Sequence, residues 1–307
     1  MKTYMNLIEF ATYIKREIKN YLPEEYADAT VTVSEVVKNN DNTLIALAIL
    51  KPEQNLTPSI YLDDFYEKYL SGESMESIFE DIVTIRVEAD IPEQFDPNLI
   101  LNFENCRERI YPRLISIKLN QKMLQDKPYR VMEDLAVIYY IKIGELTDGS
   151  ATIIVNTEML NQWHITEDNL WKIALENEKQ TTYVFQSLNK LLKSFKGGMV
   201  MYNPEYDEED EDEKLQMYIV TNKNNVLGSS VLLNKSYLKA IEDVIGRYYI
   251  LPSSIHEIIV IPQYRIDSVD ELREMVCEVN DEKVLEDDIL SYSVYMFDEE
   301  KGFKIAK

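Results

Sequence analysis

Only eight of the 307 residues are glycine, so the backbone has few places to turn with a positive φ or to admit an anion against its amides. The one adjacent pair, Gly197-Gly198, follows an expected helix instead of opening one, so it reads as a helix stop. The glycine-rich crossovers of a doubly wound sheet are missing. Strands in runs, interleaved with helices, predict an α+β fold: mixed, mainly antiparallel sheets with packed helices, in two modules. Apolar residues at 45% suffice for a globular core, and ten prolines argue against a linker-rich chain.

The first module, residues 1–109, reads as helices around a hairpin. Leu7, Phe10, Ala11, Ile14 and Ile18 form one apolar stripe of a helix over Met5–Tyr21, which Pro23 ends. Ala29–Val37 and Leu44–Leu50 flank the turn cluster Asn39-Asn40-Asp41-Asn42 as a β-hairpin. Tyr61–Tyr69 and Met75–Glu88 read as helices, with Gly72 closing the first and Ser74 capping the second. A further helix is expected over Asn98–Glu108.

The second module, residues 110–307, reads as an α+β domain. Tyr111–Leu119, Leu135–Gly144 and Thr152–Asn156 have the β-branched and aromatic content of antiparallel strands. Thr166 caps a helix to about Gln180, and Thr182–Phe195 reads as another. Met217–Thr221, Gly228–Leu233, Tyr248–Leu251 and Glu257–Ile261 read as strands. Helices capped by Asn234 and by a full capping box at Ser268–Glu271 lie among and after them. Ser291–Phe297 and Phe303–Ile305 close the chain as a hairpin. Glu205–Glu213 holds eight acids interrupted only by Tyr206, the composition of a solvated acidic loop.

A net charge of −23 opposes phosphate backbones and anionic lipid, so no direct nucleic-acid partner and no membrane is expected. The densest basic stretches are two trios, Lys190, Lys193 and Lys196, and Arg107, Arg109 and Arg113; both read as solvated faces. Two distant cysteines make no disulfide framework, and no apolar run nears the roughly 18 residues of a membrane helix, so a cytoplasmic setting is expected.

No motif calls for a cofactor or a metal. The two cysteines and two histidines are too scattered for zinc, and EF-hand spacing is absent. His164 reads as a packed or capping residue. His256 sits between two expected strands in Leu251-Pro252-Ser253-Ser254-Ile255-His256-Glu257. A serine, a histidine and an acid this close permit a hydrolase, but no sharp nucleophile turn or oxyanion site is visible. The alternative is that these residues shape the strand connection. Tyrosine supplies 21 of the aromatics, and it keeps a polar tip that suits interfaces. Tyr61, Tyr66 and Tyr69 fall near one another on an expected helix, either as a patch or as core.

Several segments resemble a family of proteins from Gram-positive gut bacteria that often lie near mobile elements. They are Val37-Lys38-Asn39-Asn40 with Leu44, Pro58-Ser59-Ile60-Tyr61-Leu62 with Tyr66, Gly72, Asn120, Pro128, and Asp134-Leu135-Ala136-Val137. They continue with Trp163-His164-Ile165-Thr166, Leu170, Ala174 and Asn177, then Gly228–Leu233 and Leu251–Glu257. The second half is also similar, more weakly, to another bacterial domain of unknown function. The resemblance implies no established activity and transfers no catalytic residue.

A candidate functional surface follows: Tyr61, Tyr66, Asn177, Ser253, Ser254, His256 and Glu257. The leading expectation is a non-enzymatic, protein-binding or regulatory protein. The alternatives are an acidic DNA mimic and a hydrolase using His256.

Overall fold

The computed structural model describes residues 4–52, 54–89, 96–146, 149–188 and 216–307. It is α+β, and every strand pairing among the described residues is antiparallel.

Helix α1 (Leu7–Glu17) begins at a reciprocal cap between Asn6 and Glu9, each side chain accepting from the other's backbone N–H at 2.9 Å. Strands β1 (Thr30–Val37) and β2 (Thr43–Leu50) form the expected hairpin, and β3 (Ser59–Tyr61) adds to β2. Tyr61 therefore ends a strand; it is not on the helix that the sequence predicts. That helix, α2 (Asp63–Leu70), starts two residues later, and the Asp63 carboxylate accepts from the Ile45 N–H at 2.8 Å. Gly72, at φ 99°, then turns the chain into α3 (Met75–Glu88), which Ser74 caps. Phe10, Ile14, Ile18, Leu47, Phe79 and Ile82 are the buried centre of this unit, worth roughly 1.5–3 kcal/mol for each large side chain.

The expected Asn98–Glu108 helix is broken into α4 (Asn98–Leu101) and α5 (Phe103–Cys106), with Asn102 capping the second. The central sheet follows: β4 (Ile110–Ser116), β5 (Arg130–Met132), β6 (Leu135–Leu146) and β7 (Gly149–Ile154). Strand β6 pairs with the other three. Helix α6 (Thr157–Trp163) ends at His164, which adopts φ 56°, so His164 is the capping residue. Helix α7 (Glu167–Glu178) begins at a reciprocal Thr166–Asn169 cap and packs on β4. Leu170 and Ala174 join Ile110, Tyr139 and Ile141 in one core.

The third sheet runs in the order β13 (Gly302–Ile305), β12 (Tyr295–Asp298), β10 (Tyr248–Leu251), β11 (Ile258–Pro262), β9 (Tyr218–Asn222) and β8 (Tyr183–Ser187). Strand β8 lies where the sequence predicts a helix over Thr182–Phe195; residues 189–195 of that stretch are outside the described residues. So are Gly197-Gly198, the lysine trio and Glu205–Glu213. Strand β9 (Tyr218–Asn222) leads to Gly228–Leu233, a 3-10 helix in place of the expected strand. A Cβ on Gly228 would stand 2.5 Å from the His256 carbonyl and 2.7 Å from the Asn222 nitrogen, so the chain bends here against neighbouring backbone. Helix α8 (Lys235–Ile245), capped by Asn234, precedes β10 (Tyr248–Leu251) and β11 (Ile258–Pro262). In α9 (Val269–Glu282) the Ser268 hydroxyl accepts from the Asp270 N–H, one residue short of the capping-box geometry. Strands β12 (Tyr295–Asp298) and β13 (Gly302–Ile305) form the closing hairpin.

Asparagine chemistry joins the first sheet to the rest. The β1–β2 turn places Asn40 at φ 61° and Asp41 at φ 53°, a conformation that Asn and Asp tolerate. Asn40 Nδ2 donates to the carbonyls of Glu286 and Ile289, at 2.7 and 2.8 Å. Asn120 Oδ1 accepts from the Asn40 N–H at 2.7 Å, and Asp41 accepts from the N–H groups of Lys122 and Met123. This turn is thereby wedged between the central sheet and the 286–289 segment.

Candidate functional site

A cleft of about 1110 Å³ opens where the three sheets meet. Its floor is one face of the central sheet. Strand side chains alternate, so Tyr111 and Arg113 of β4 share a face, as do Tyr140 and Lys142 of β6. The register sets Tyr111 opposite Tyr140, then Tyr140 opposite Ile154 and Lys142 opposite Thr152 of β7. One wall is Val36–Asn39 with Tyr61, and the opposite wall is the end of α7 with the Asn222–Leu227 loop. His256, Asp287 and Asp288 close one end. Asn40 and Asp41, and Asn225 and Leu227, hold positive φ in the two wall-forming loops. For Leu227, at φ 57°, that backbone is strained, as it often is at working sites.

Four cations (Lys38, Arg113, Lys142, Lys223) and three carboxylates (Glu178, Asp287, Asp288) line this cleft, although acids outnumber bases 55 to 32 along the chain. Arg113 is its most telling member. Its Nε is buried and has no hydrogen-bond partner, while the residue keeps some surface toward the cleft. No carboxylate is within ion-pair distance of Arg113 among the described residues; Asp287 and Asp288 act on it only from further away. Burial pushes the guanidinium below its usual range. The expectation that the Arg107, Arg109 and Arg113 trio forms a solvated face is thus wrong for Arg113. On the wall from the first sheet, Lys38 Nζ donates to Tyr61 Oη at 3.0 Å and lies 4.7 Å from that ring; on the floor, Lys142 Nζ lies 3.7 Å from the Tyr111 ring. Asn39 Oδ1 is a second buried polar atom without a partner among the described residues, while its Nδ2 donates to the Asp287 carbonyl at 2.6 Å.

Glu178 lies at the end of α7, with the Tyr183 and Ser230 hydroxyls both converging on Oε1. Burial raises its carboxyl above the usual range, against the pull of these hydroxyls and of Lys142. Burial and the adjacent Glu178 push the Tyr140 and Tyr183 phenols up, so both stay neutral donors.

The expected surface residues divide. Tyr61 and His256 line the cleft. Tyr66 does not: it packs on Phe10 at 5.6 Å and donates to the Met5 carbonyl, and Tyr69 stacks on Phe10 at 5.4 Å. Both are partly buried and pack against the N-terminal core, the second of the two uses the sequence leaves open. Asn177 is buried and donates to the carbonyls of Arg107 and Ile110, at 2.7 and 2.8 Å, pinning α7 to the start of β4. Its neighbour Glu178 is the residue that reaches the cleft. Ser253 and Ser254 are buried: the Ser253 carbonyl accepts from Leu290, and the Ser254 hydroxyl accepts from the His256 N–H at 3.0 Å. Burial raises the Glu257 carboxyl, and the Ser254 hydroxyl donates to it.

Both His256 ring nitrogens are engaged. Nδ1 accepts from the Leu227 N–H at 3.2 Å, so in the neutral ring the proton sits on Nε2 and donates to Asp288 Oδ1 at 3.0 Å. The imidazole thus ties the Leu227 loop to the 286–289 segment. Serine and imidazole are not paired as a nucleophile and its base would be. No cluster of three or more metal-ligating side chains occurs among the described residues. Cys106 is buried, which raises its thiol to about 11 and keeps it inert. No helix among the described residues is long and apolar enough to cross a membrane.

Residues 7–299 match the model of a family of unknown function, DUF5688, and the chain belongs to that family. No curated protein and no solved structure matches it.

Proposed function

We propose that this chain is a binding protein for a small anionic molecule, seated in the cleft between its three sheets. The observation that carries this reading is the Arg113 guanidinium, whose buried Nε lacks any partner among the described residues, in a cleft that collects cations on a chain of −23. A buried unpaired donor is costly, and it persists where a ligand satisfies it. The cleft is lined by three tyrosines and a majority of polar and charged side chains, a lining that suits a polar, charged ligand. A regulatory role, in which occupancy sets how the three sheets meet, suits a site walled by every sheet.

The test is a thermal-shift series on the intact chain and on an R113M variant, with phosphates, carboxylates, sulfates and uncharged sugars. A ligand at about 100 times its Kd adds roughly 2.7 kcal/mol. At least one anion class should raise the wild-type midpoint by several degrees and leave R113M unmoved. Equal shifts in both proteins, or none with any anion, would remove the reading.

A further inference from the structure

We infer that the anion carried by the occupant is a phosphate ester on a hydroxyl-bearing carrier, such as a sugar phosphate or a nucleoside monophosphate; this rests on the binding reading above. Three cations come from three different strands or strand ends: Lys38 after β1, Arg113 on β4 and Lys142 on β6. Lys142 lies in the field of Glu178, whereas Lys38 and Arg113 have no carboxylate at ion-pair distance among the described residues; a lone carboxylate answers only one of those two charges. A phosphate monoester brings about −1.5 to −2 near neutral pH, with three strong acceptor oxygens. The planar guanidinium fork suits such an oxyanion, and its buried Nε supplies a directional donor that no carboxylate among the described residues takes up. Lys38 is held by a hydroxyl and an aromatic ring, not by a carboxylate, so its charge is positioned without being neutralised.

The acids of the cleft are engaged by the protein itself. Asp288 accepts from His256, and Asp287 Oδ1 accepts from Asn42 Nδ2 at 2.8 Å. Glu178 holds two hydroxyls, and its raised carboxyl carries less charge than an ordinary glutamate at the same pH. Repulsion of an incoming anion is thereby reduced at Glu178, while Asp287 and Asp288 keep their charge at the His256 end of the cleft, with their oxygens held by protein donors.

The carrier follows from the other orphaned atom. Asn39 Oδ1 is an acceptor, so it calls for an N–H or O–H donor that a fully ionised phosphate lacks and that a sugar hydroxyl or amino group supplies. The cleft volume of about 1110 Å³ is at the upper end for small-molecule sites, well beyond a bare oxyanion.

Isothermal titration of the intact chain at low ionic strength tests this, with AMP, ribose 5-phosphate, inorganic phosphate and citrate as probes. AMP or ribose 5-phosphate should bind at least roughly tenfold more tightly than inorganic phosphate or citrate. R113Q should weaken that binding by roughly 10- to 100-fold, the range of a charge-assisted hydrogen bond. K38M should weaken it several-fold, whereas K239M, which removes a lysine paired with Glu242 and Asp243 outside the cleft, should leave it unchanged. Far-ultraviolet circular dichroism confirms that each variant is folded. If citrate binds through Arg113 and the phosphate esters do not, the phosphate assignment falls while the binding reading stands. If inorganic phosphate binds as tightly as the esters, the carrier falls. If no probe binds in an Arg113-dependent way, both readings fall.

Discussion

Two arginines in this protein are largely out of water, and they should respond oppositely to the same replacement. Arg86 is 2% exposed; its Nε donates to the Ile49 carbonyl at 2.8 Å, its Nη2 donates to Gln54 Oε1 at 2.7 Å, and its guanidinium lies over the Tyr26 ring at 5.0 Å. R86M removes two hydrogen bonds to a charged donor and leaves part of a buried polar network unpaired, a cost of about 2–4 kcal/mol. Arg113 has no such partners, and its Nε is buried. Relieving one unsatisfied buried donor is worth about 1–3 kcal/mol. The more distant attraction of Asp287 and Asp288 offsets at most about 1 kcal/mol of that. Methionine retains most of the apolar stem. R113M should therefore unfold at equal or higher denaturant, by up to about 2 kcal/mol, and melt up to several degrees higher at about 2–4 °C per kcal/mol. Urea unfolding followed by circular dichroism reads both variants, with unchanged slopes confirming comparable transitions. If R113M loses about 2 kcal/mol, as R86M should, Arg113 is a structural arginine and the reasoning from its unpaired nitrogen is wrong.

The junction beneath the cleft makes three further predictions. G228A places a Cβ within 2.5 Å of the His256 carbonyl and of Thr221 Oγ1, and should cost about 2–4 kcal/mol in urea unfolding; G144A, with nothing within 4 Å, should change stability by under about 1 kcal/mol. Asp134 accepts from the hydroxyls of Ser291, Ser293 and Tyr295, so D134A should cost about 3 kcal/mol and raise amide exchange in β12. Glu178 has a raised carboxyl in the fold, so its stabilising protonation is complete below the unfolded value near 4.5 and is lost as pH rises through the folded value. E178Q should therefore gain stability relative to wild type as pH climbs from 4.5 toward 8, and a constant difference across that range would count against the burial of its charge.

Local signals made much of the fold legible. The stripe of α1, the Asn39–Asn42 turn, Gly72 with Ser74, the Thr166 and Asn234 caps and the final hairpin all depend on near neighbours in sequence. The misread segments were decided by distant ones. Tyr183–Ser187 pairs with β9 across a long span of chain, and Gly228–Leu233 bends because the Gly228 and Ser229 amides donate to the carbonyls of His256 and Ile255. The site was harder still. Tyr111 with Arg113, and Tyr140 with Lys142, look like scattered polar residues until the β4–β6 register sets them side by side. The available clue was an alternating aromatic-and-cation pair in each of two otherwise apolar strands. His256 stands out in the sequence for its position between two strands, and in the fold its two ring nitrogens hold the loops that wall the cleft.

Isoleucine-methyl NMR on the intact chain, titrated with AMP, reports occupancy at the place where it is expected. The methyls of Ile154 and Ile255 line the cleft, whereas those of Ile14 and Ile49 are in the N-terminal core. Saturable shifts at Ile154 and Ile255, absent in R113Q and with Ile14 and Ile49 still, are the expected result. Methyls of the cleft that stay fixed while others move, or shifts that persist in R113Q, would contradict a ligand held by Arg113.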